Sequence, residues 1–370
     1  MKIAEDSIIK DDEIAINEAR WKRLNEQLSQ QKIIDLISSA IENYNLPLPL
    51  RKISIDEAVQ DFQDLRSFDC RRLWKTGDVF TKHSYQFQIE NKYLQLHTCG
   101  NKASDYFHQT NRNLCASVNA PSPYKTWTNE KLRRNWLKSL WTLGYKEINS
   151  AVLRESIALR NYTAQQFRPS AAKAIYELLE SKEVLDFSAG WGDRLVGFCA
   201  APQTESYFGC DPNQNLFEGY DQQVKTYGSN KEITMINAAA EDLDFGKERF
   251  DTVFTSPPFY RSERYTADEN QSWVRYKTLE TWTANFLCKV IEKSWAALKP
   301  NGFLALNLAD VYSEGKTNKI CDLTNEFIAS LPDAEYVCGL GLRIHNRPNK
   351  AKIKGKINAE VIWVFRKQHK

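Results

Sequence analysis

From about residue 165 onward, segments typical of buried β-strands alternate with segments typical of α-helices. The alternation covers five strand segments, and two further strand segments follow each other with only a basic loop between them. Strands that alternate with helices form a parallel sheet covered on both faces, whereas strands joined directly pair as an antiparallel hairpin. The sequence therefore predicts an α/β fold, a doubly wound sheet of seven strands with an antiparallel C-terminal hairpin.

Residues 1–150 have a different character. The first 45 residues carry apolar side chains at helical spacing, and "SIDEAVQDFQDL" begins with the capping pattern of Ser54 followed by Glu57. Residues 70–120 contain short aromatic strand candidates, "HSYQFQI" and "KYLQLHT". These patterns predict two domains, a mainly helical, mixed α+β region over residues 1–150 and the sheet domain over residues 151–370. The first is either a recognition domain or a scaffold for the second.

Composition limits the classes of protein to which the chain can belong. With 370 residues, 42% of them apolar, it can bury a large core. The acidic N-terminus does not fit a secretory signal, and no apolar run is long enough to span a membrane, so a cytoplasmic, membrane-free location is expected. The formal charge of +3 neither demands nor excludes a nucleic-acid partner.

The eight cysteines are scattered and form no Cys-x-x-Cys pair, so they read as small core residues rather than disulfides or zinc ligands. His97, Cys99, His108 and Cys115 form a loose group whose spacing matches no common zinc pattern. We therefore expect no metal.

The stretch "VLDFSAGWGD" places two glycines between a predicted strand and a predicted helix. Glycines there let the backbone turn tightly and approach a ligand closely. The third glycine of a dinucleotide-binding turn is absent, which favours a nucleoside ligand without phosphates over NAD. The candidate contacts in this stretch are Asp186, Ser188, Gly190 and Gly192.

Acidic residues end the next two predicted strands. Asp211 lies about 25 residues after Asp186, where a carboxylate can accept hydrogen bonds from both hydroxyls of a ribose. Glu241 and Asp242 end the third strand, where an acid can accept from an adenine amino group. The alternative for Asp211 is a solvated acid in the turn "DPN".

The stretch "DTVFTSPPFY" ends the fourth strand with two prolines in a row. Proline fixes φ and forces the preceding residue into extended geometry, so Ser256 and its carbonyl gain a fixed direction. Ser256 and the Pro257 carbonyl can accept hydrogen bonds from a nucleobase amino group, and Phe259 can stack on the base. A base in a duplex reaches such a site only by flipping out. The alternative is a plain Pro-Pro loop that ends the strand.

Three stretches of the sequence resemble motifs of one protein family. "SPPF" resembles the catalytic tetrad of the S-adenosylmethionine-dependent DNA amino-methyltransferases, in which Asp, Asn or Ser precedes two prolines and an aromatic residue. The leading serine resembles the cytosine-N4 branch more than the adenine branch. "FSAGWGD" resembles the cofactor motif of the family, although Ala189 and Trp191 depart from its commoner Phe-x-Gly-x-Gly form. "QQFRPSAAKAIYELL" resembles the helix-start motif that precedes the glycine turn.

The resemblance covers about residues 160–367 and implies a Rossmann-like methyltransferase domain with S-adenosylmethionine as cofactor. It implies that Phe167, Arg168 and Pro169 line the cofactor pocket. The implied reaction is methylation of a flipped base in double-stranded DNA, most readily cytosine N4, at an unknown recognition sequence. The residues implied in catalysis are Ser256, Pro257, Pro258 and Phe259.

Several alternatives stay open: adenine-N6 methylation, RNA base methylation, and a catalytically silent relative that binds DNA or cofactor. Whether a restriction endonuclease accompanies the chain is also open. A cytosine-C5 mechanism is disfavoured because the sequence contains no Pro-Cys nucleophile. The glycine spacing and the Pro-Pro rim oppose a nicotinamide oxidoreductase.

Three basic stretches are candidates for nucleic-acid contact. The loop between the last two strands, "RIHNRPNKAKIKGKIN", is favoured as a contact to the DNA backbone. The segment after the tetrad is longer than a tight connection, which is typical of functional loops. The helix "YKTWTNEKLRRNWLKSLW" either contacts phosphates or has a merely solvated basic face. The residues expected to contact nucleic acid are Tyr260, Arg261, Arg264, Arg347, Lys350, Lys352 and Lys354.

Overall fold

Ten strands form one sheet in the structure, a computed structural model that describes residues 5–161, 163–313, 315–344 and 355–369. In chain order they are β1 (Trp74–Thr76), β2 (Val79–Phe80), β3 (Ile89–Leu94), β4 (Glu183–Asp186), β5 (Ser206–Asp211), β6 (Glu232–Asn237), β7 (Phe250–Thr255), β8 (Leu298–Leu308), β9 (Ala334–Arg343) and β10 (Ile357–Lys367).

The strands lie side by side in the order β1-β3-β9-β10-β8-β7-β4-β5-β6, and β2 pairs with β10. Strands β6, β5, β4, β7 and β8 are mutually parallel, whereas β10 runs antiparallel to β8 and β9 on either side of it. The predicted seven-stranded parallel sheet with its antiparallel C-terminal hairpin is therefore confirmed. The last strand of the chain lies inside the sheet, between β8 and β9.

The region before residue 165 adds the remaining three strands. β3 pairs parallel with β9 and antiparallel with β1, so that the sheet extends beyond the seven predicted strands. The two aromatic strand candidates of the sequence correspond to one strand, β3, which begins in the first candidate and ends in the second.

Helices follow most strands and also make up much of the N-terminal region. In chain order they are α1 (Glu18–Gln27), α2 (Gln30–Asn43), α3 (Ile55–Ser67), α4 (Asn101–Leu114), α5 (Pro123–Thr128), α6 (Glu130–Leu137), α7 (Ser139–Thr142), α8 (Ser150–Arg160), α9 (Pro169–Leu178), α10 (Asp193–Ala200), α11 (Phe217–Tyr227), α12 (Ser272–Arg275), α13 (Leu279–Trp282), α14 (Lys289–Ala297) and α15 (Cys321–Ala329). A π-helical turn over Thr283–Cys288 leads from α13 into α14.

The packing divides the chain into two units. One comprises Met1–Lys52 and Gln109–Ala164, and the other comprises Ile53–His108 and Gln165–Lys370. This grouping differs from a single boundary after residue 150, because residues 53–108 pack with the sheet unit. The chain therefore leaves the first unit after residue 52, returns to it at residue 109 and leaves it again after residue 164. Such crossings depend on contacts between distant residues, which local composition does not reveal.

Helix α3 shows how residues 53–108 are held in the sheet unit. Its start carries the predicted capping box, with Ser54 and Glu57 bonding each other's backbone N–H groups. At its other end the buried Lys173 of α9 donates to the carbonyls of Leu65, Arg66 and Phe68 at 2.8, 3.0 and 2.8 Å. A cation at a helix C-terminus satisfies orphan carbonyls and interacts favourably with the helix dipole.

The first unit has its own apolar core, built largely from α1, α2, α6 and α8. The basic stretch "YKTWTNEKLRRNWLKSLW" forms three short helices, α5, α6 and α7, rather than one, and it contributes Trp127 and Trp136 to that core. Arg133 is also buried, and its guanidinium donates to Ser38 Oγ, the Trp127 carbonyl and Glu42 Oε2 at 2.9, 2.9 and 2.7 Å. Arg133 therefore serves packing within this unit rather than a basic surface.

Other structural features concern the expectations about membranes, metals and disulfides. No helix within the described ranges is long and apolar enough to cross a bilayer. In the same ranges, no group of three or more His, Cys, Asp or Glu side chains is arranged to hold a metal ion. All eight cysteines are free thiols, and five of them are buried.

Candidate active site at the carboxyl edge of the sheet

The chain reverses its direction of growth across the sheet at β4. From β4 it adds β5 and β6 on one side, and β7 and β8 on the other. Strands β4 and β7 are neighbours, with Val184 opposite Thr252 and Leu185 opposite Val253. In open α/β sheets the crevice outside the carboxyl ends of two such strands is where ligands bind. The glycine turn and the Ser-Pro-Pro-Phe tetrad both begin at this crevice.

Asp186, the last residue of β4, is fully buried and organises the crevice from below. Its carboxylate accepts from Arg194 at 2.7 and 3.1 Å, from Tyr207 Oη at 2.7 Å and from Thr255 Oγ1 at 2.8 Å. Burial alone would lower the pKa of Arg194, but the Asp186 carboxylate outweighs it and raises that pKa. Asp186 thus ties β4 to α10, β5 and β7, and its role is that of an anchor beneath the predicted cofactor site.

The glycine turn after β4 adopts the backbone that its sequence predicts. Gly190 and Gly192 have φ angles of +58° and +69°, which residues with a Cβ adopt rarely. A Cβ built on Gly190 has no neighbour closer than 3.8 Å, so the turn leaves open space at that point. On Gly192 the same atom would lie 2.1 Å from Gln223 Oε1, where α11 packs against the turn.

Asp211 at the end of β5 touches this turn directly. Its Oδ2 accepts from the Gly190 N–H at 3.0 Å, and its Oδ1 accepts from the Asn213 N–H at 2.9 Å. Burial raises the pKa of Asp211 to about 6, although these two backbone hydrogen bonds lower it. Each carboxylate oxygen has more than one lone pair, so Asp211 retains acceptor capacity for a ligand.

The segment before α9 is held against the same turn. Asp193, at the start of α10, accepts from the Phe167 N–H at 3.2 Å and from Gln166 Nε2 at 3.2 Å. The Phe167 ring packs edge-on against Phe254 and under the Arg194 guanidinium. The structure therefore brings the helix-start motif and the glycine turn together, and it does so through Asp193 and Arg194, which the sequence did not single out.

Arg168 and Pro169 complete that segment. Arg168 has a φ of +75°, an uncommon value for a residue with a side chain, and Pro169 is the buried first residue of α9. Burial lowers the pKa of Arg168, and its guanidinium donates to the Arg343 carbonyl of β9 at 3.3 Å. Ser188 is half-buried, and its carbonyl accepts from Arg194.

The two acids predicted to end β6 lie beyond it, in a 3₁₀ turn over Ala240–Asp242, and the loop that follows β7 engages them. Glu241 Oε1 accepts from Arg275 Nη1 and from Tyr276 Oη, both at 3.0 Å. Asp242 pairs with the same guanidinium at 2.7 Å. These contacts tie α12 to the β6 end, and they occupy part of the acceptor capacity expected for an adenine amino group.

The tetrad after β7 lies at the other side of the crevice. Ser256 is half-buried, and its Oγ accepts from Asn307 Nδ2 at 3.2 Å. Pro257 is buried, whereas Pro258 and Phe259 are partly exposed, and Phe259 packs on the apolar core of the sheet unit. Proline has no N–H, so the backbone here offers carbonyl acceptors without a competing donor from either proline.

Tyr260 departs from the expectation that it contacts nucleic acid. It is 4% exposed, its ring packs edge-on against Trp282, and its hydroxyl donates to the Lys277 carbonyl at 3.3 Å. Its backbone has a φ of +53°, directly after the tetrad. Tyr260 is therefore a core residue in this structure, and a base cannot reach it there.

The other predicted nucleic-acid contacts fall into two groups. Arg261 and Arg264 are half-buried in the loop after the tetrad, and the Arg264 guanidinium lies 5.2 Å from the Trp273 ring centroid. Arg347, Lys350, Lys352 and Lys354 lie outside the described residues. Lys356, just beyond that stretch, has its Nζ 3.6 Å from an Asp78 carboxylate oxygen.

Comparison with known proteins gives structural likeness only. No protein-family model matches the chain, and no curated protein matches it significantly. An S-adenosylmethionine-dependent O-methyltransferase from Thermotoga maritima is 15% identical, with a TM-score of 0.36 over 56% of this chain and 68% of its own. An rRNA methylase from Streptococcus thermophilus is 14% identical, with a TM-score of 0.36 over 56% of this chain and 100% of its own.

A tRNA methyltransferase from Aquifex aeolicus is 13% identical, with a TM-score of 0.35 over 56% of this chain and 72% of its own. At these identities and TM-scores the likenesses assign no function. The function of the chain is therefore inferred below from its own residues.

Proposed function

We propose that this protein is an S-adenosylmethionine-dependent methyltransferase that acts on the exocyclic amino group of a nucleobase, with cytosine N4 in DNA as the favoured target. One observation carries the proposal. The Ser256-Pro-Pro-Phe tetrad and the glycine turn leave adjacent strands at the point where the sheet reverses its growth. A nucleoside cofactor on one side of the crevice and a base amine on the other would then face each other.

The residues on the β4 side fit the proposed cofactor. Asp211 has acceptor capacity left for ribose hydroxyls, and the open space beside Gly190 lets a ligand approach the backbone. Phe167 and the Arg168-Pro169 step form an ordered wall next to them. When bound, S-adenosylmethionine supplies a methyl on a sulfonium, which becomes a thioether after the amine nitrogen takes the methyl and releases one proton.

The residues on the β7 side suit an amine nucleophile. The lone pair of a nucleobase amino group is delocalised into the ring, so the group must be held by acceptors to become pyramidal and reactive. Ser256 Oγ uses one lone pair to accept from Asn307 and keeps another for an amine hydrogen. The Pro257 carbonyl is the second acceptor in the proposal. Rate enhancement would come mainly from positioning and from these dipoles.

The substrate class rests on the sequence more than on the site. The serine at the first position of the tetrad favours cytosine N4, with adenine N6 and an RNA base as alternatives. The basic residues from Arg347 to Lys354 and the loop residues Arg261 and Arg264 are proposed to contact the nucleic-acid backbone. Phosphate contacts of this kind position a substrate without reading its sequence.

The decisive experiment is a nucleoside analysis. The purified protein is incubated with S-adenosylmethionine and unmethylated genomic DNA, and the DNA is digested and examined by mass spectrometry against synthetic standards. We expect a peak of N4-methylcytosine that the Ser256→Ala variant does not produce. A peak of N6-methyladenine instead would keep the reaction and change the base.

The same assay on total RNA separates the alternatives. Methylated RNA nucleosides without methylated DNA would move the substrate to RNA. No methylated nucleoside from either polymer, with cofactor binding intact in calorimetry, would contradict the proposed activity and favour the silent relative.

A further inference from the structure

Asn307 lies at the carboxyl end of β8, beside the tetrad. It is 4% exposed, and its Nδ2 donates to Ser256 Oγ at 3.2 Å. Buried polar side chains in a sheet generally need a partner, and this one has its partner on the predicted catalytic residue. Its Oδ1 accepts no hydrogen bond from the described residues. The side chain thus makes its observed hydrogen bond toward the candidate active site.

Glu360 on β10 is a cross-strand neighbour of Asn307. Asn307 pairs directly with Ile362, so Glu360, two residues along the same strand, shares its face of the sheet as a diagonal neighbour. Burial raises the pKa of Glu360, while hydrogen bonding from the Asn307 amide and the charge of Arg168 partly offset that rise. Burial raises the pKa of Glu263, and the charge of Glu360 adds to that rise.

The Glu360 carboxylate determines which end of the Asn307 amide, NH₂ or oxygen, is directed to Ser256. An ionised carboxylate only accepts hydrogen bonds, so Glu360 favours the NH₂ end of the amide. An NH₂ group carries two hydrogens, one for Glu360 and one for Ser256. Ser256 Oγ then accepts from Asn307, and its second lone pair stays available to another donor. Without Glu360, the amide could turn over and present its oxygen to Ser256.

We propose that Asn307, oriented by Glu360, is a positioning residue that fixes the Ser256 hydroxyl as an acceptor for the substrate amine. The proposal rests on the proposed function of Ser256 and adds a residue pair to it. The charge of Arg168, in the helix-start segment, also lowers the pKa of Glu360, which couples that segment to the pair electrostatically.

The test is Asn307→Leu, which keeps the approximate volume and removes both polar atoms. The change leaves Ser256 Oγ and the Glu360 carboxylate without the amide donor, and a buried polar group that loses its partner costs stability. We expect a lower Tm, an unchanged Kd for S-adenosylmethionine and KM for DNA, and a kcat about 10-fold lower at a temperature where the variant is folded. The matched control is Asn325→Leu on α15, also fully buried and without side-chain partners in the described chain. It should leave kcat unchanged.

The outcomes separate a positioning role from a structural one. A kcat equal to that of the wild type would overturn the proposal, and so would a loss of kcat accompanied by an equal loss of affinity for S-adenosylmethionine. Selective loss of kcat in Asn307→Leu, absent in Asn325→Leu, would support it.

A readout without activity distinguishes failure of this proposal from failure of the proposed function. In ¹⁵N-labelled protein, the Asn307 NH₂ signals are identified by their loss in Asn307→Leu. We expect them to shift with Ser256→Ala and with pH, and to lose the pH response in Glu360→Gln. If the wild type methylates nothing, these shifts still test the chain from Glu360 to Ser256. Signals that respond to neither change would overturn it.

Discussion

The two strand ends that form the crevice differ in how completely their polar groups are bonded. At the end of β4, Asp186 accepts hydrogen bonds from three side chains on three different elements, and Asp211 holds the glycine turn through its backbone. At the end of β7, Ser256 has one described side-chain partner, and two prolines remove the backbone donors that follow it. We call the β4 side, with Asp186, Asp211 and the glycine turn, the cradle. We call the β7 side, with Ser256 and the two prolines, the rim, and its polar groups keep unused acceptor capacity.

This difference matches what each side would have to do. A cofactor site gains affinity from a cradle whose shape is set before the ligand arrives, since little ordering remains to oppose binding. A site for an amine nucleophile needs acceptor lone pairs that no protein donor occupies. The comparison therefore predicts that substitutions at β4 act mainly on stability and binding, whereas substitutions at β7 act mainly on turnover.

The largest effect is expected for Asp186→Asn. The change leaves the buried Arg194 guanidinium without its counter-charge, and breaking one partner of a buried ion pair costs about 3–5 kcal/mol. Denaturant unfolding measures this loss. Asp221→Asn, at an exposed position of α11, is the control and should change the free energy of unfolding little. If both substitutions changed the free energy of unfolding by the same small amount, the anchoring role of Asp186 would be contradicted.

Ser256→Ala should have the opposite profile. Removing one preorganised polar contact to the reacting group is expected to lower kcat about 100-fold, with little change in Tm or in the Kd for S-adenosylmethionine. The matched control is Ser294→Ala on α14, a buried serine whose Oγ has no described partner. Parallel losses of rate and cofactor affinity would assign Ser256 to the cradle instead of the rim.

Asp211 makes the cradle dependent on pH. Its ionised form is the better acceptor for ribose hydroxyls, and its pKa is raised to about 6. The Kd for S-adenosylmethionine should therefore rise about 10-fold between pH 7.5 and pH 5, as calorimetry can measure. The Asp211→Asn variant should have a higher Kd than the wild type at pH 7.5, and this Kd should be nearly constant with pH. A wild-type affinity that does not change over this range would contradict the ribose role.

The same carboxyl has a smaller effect on folding, with a defined sign. Because the folded-state pKa lies above the unfolded value, the folded protein binds this proton more tightly. Asp211 therefore lowers stability as pH rises from 3.8 to about 6. Asp211→Asn removes this pH-dependent penalty but also one of the two acceptors for backbone N–H groups, so its loss of stability at pH 7 should be smaller than that of Asp186→Asn in denaturant unfolding.

The smallest effect per residue is expected at the basic loop. Replacing Lys350, Lys352 and Lys354 with Gln should reduce the slope of log K against log salt for DNA binding by up to about 0.9 for each phosphate that the loop no longer neutralises. Cofactor affinity should not change. An unaltered slope would move the nucleic acid to another surface, such as the one around Arg261 and Arg264.

The sequence predicts most of the sheet because its strands carry local signals. Apolar runs end at Asp186, Asp211 and Thr255, and each lies where the pattern predicts the carboxyl end of a strand. The contact between Gly190 and Asp211 also follows from adjacent parallel strands, since their carboxyl ends meet at one edge. Local pattern thus locates both sides of the crevice.

Other features depend on contacts between distant parts of the chain. β1 and β2 have only three and two residues, and β3 gains its place by pairing with β9, about 250 residues later. Asp193 and Arg194 follow the glycines in the sequence, yet charge usually indicates exposure, and their burial depends on partners elsewhere. Tyr260 is expected at the surface because nothing in the sequence indicates its left-handed backbone conformation. Such a conformation is predictable mainly at glycine and asparagine.

The hold of Lys173 on the end of α3 decides how the protein can be dissected. A shortened chain that begins at the helix-start motif would keep every residue of the crevice and would look complete by motif. It would also lose the three carbonyls that Lys173 binds, and it would strip β3 from β9 and expose a bare sheet edge, which is prone to pair with other chains. A fragment for crystallography or expression must therefore carry residues 53–108, even though nothing in them resembles a catalytic motif.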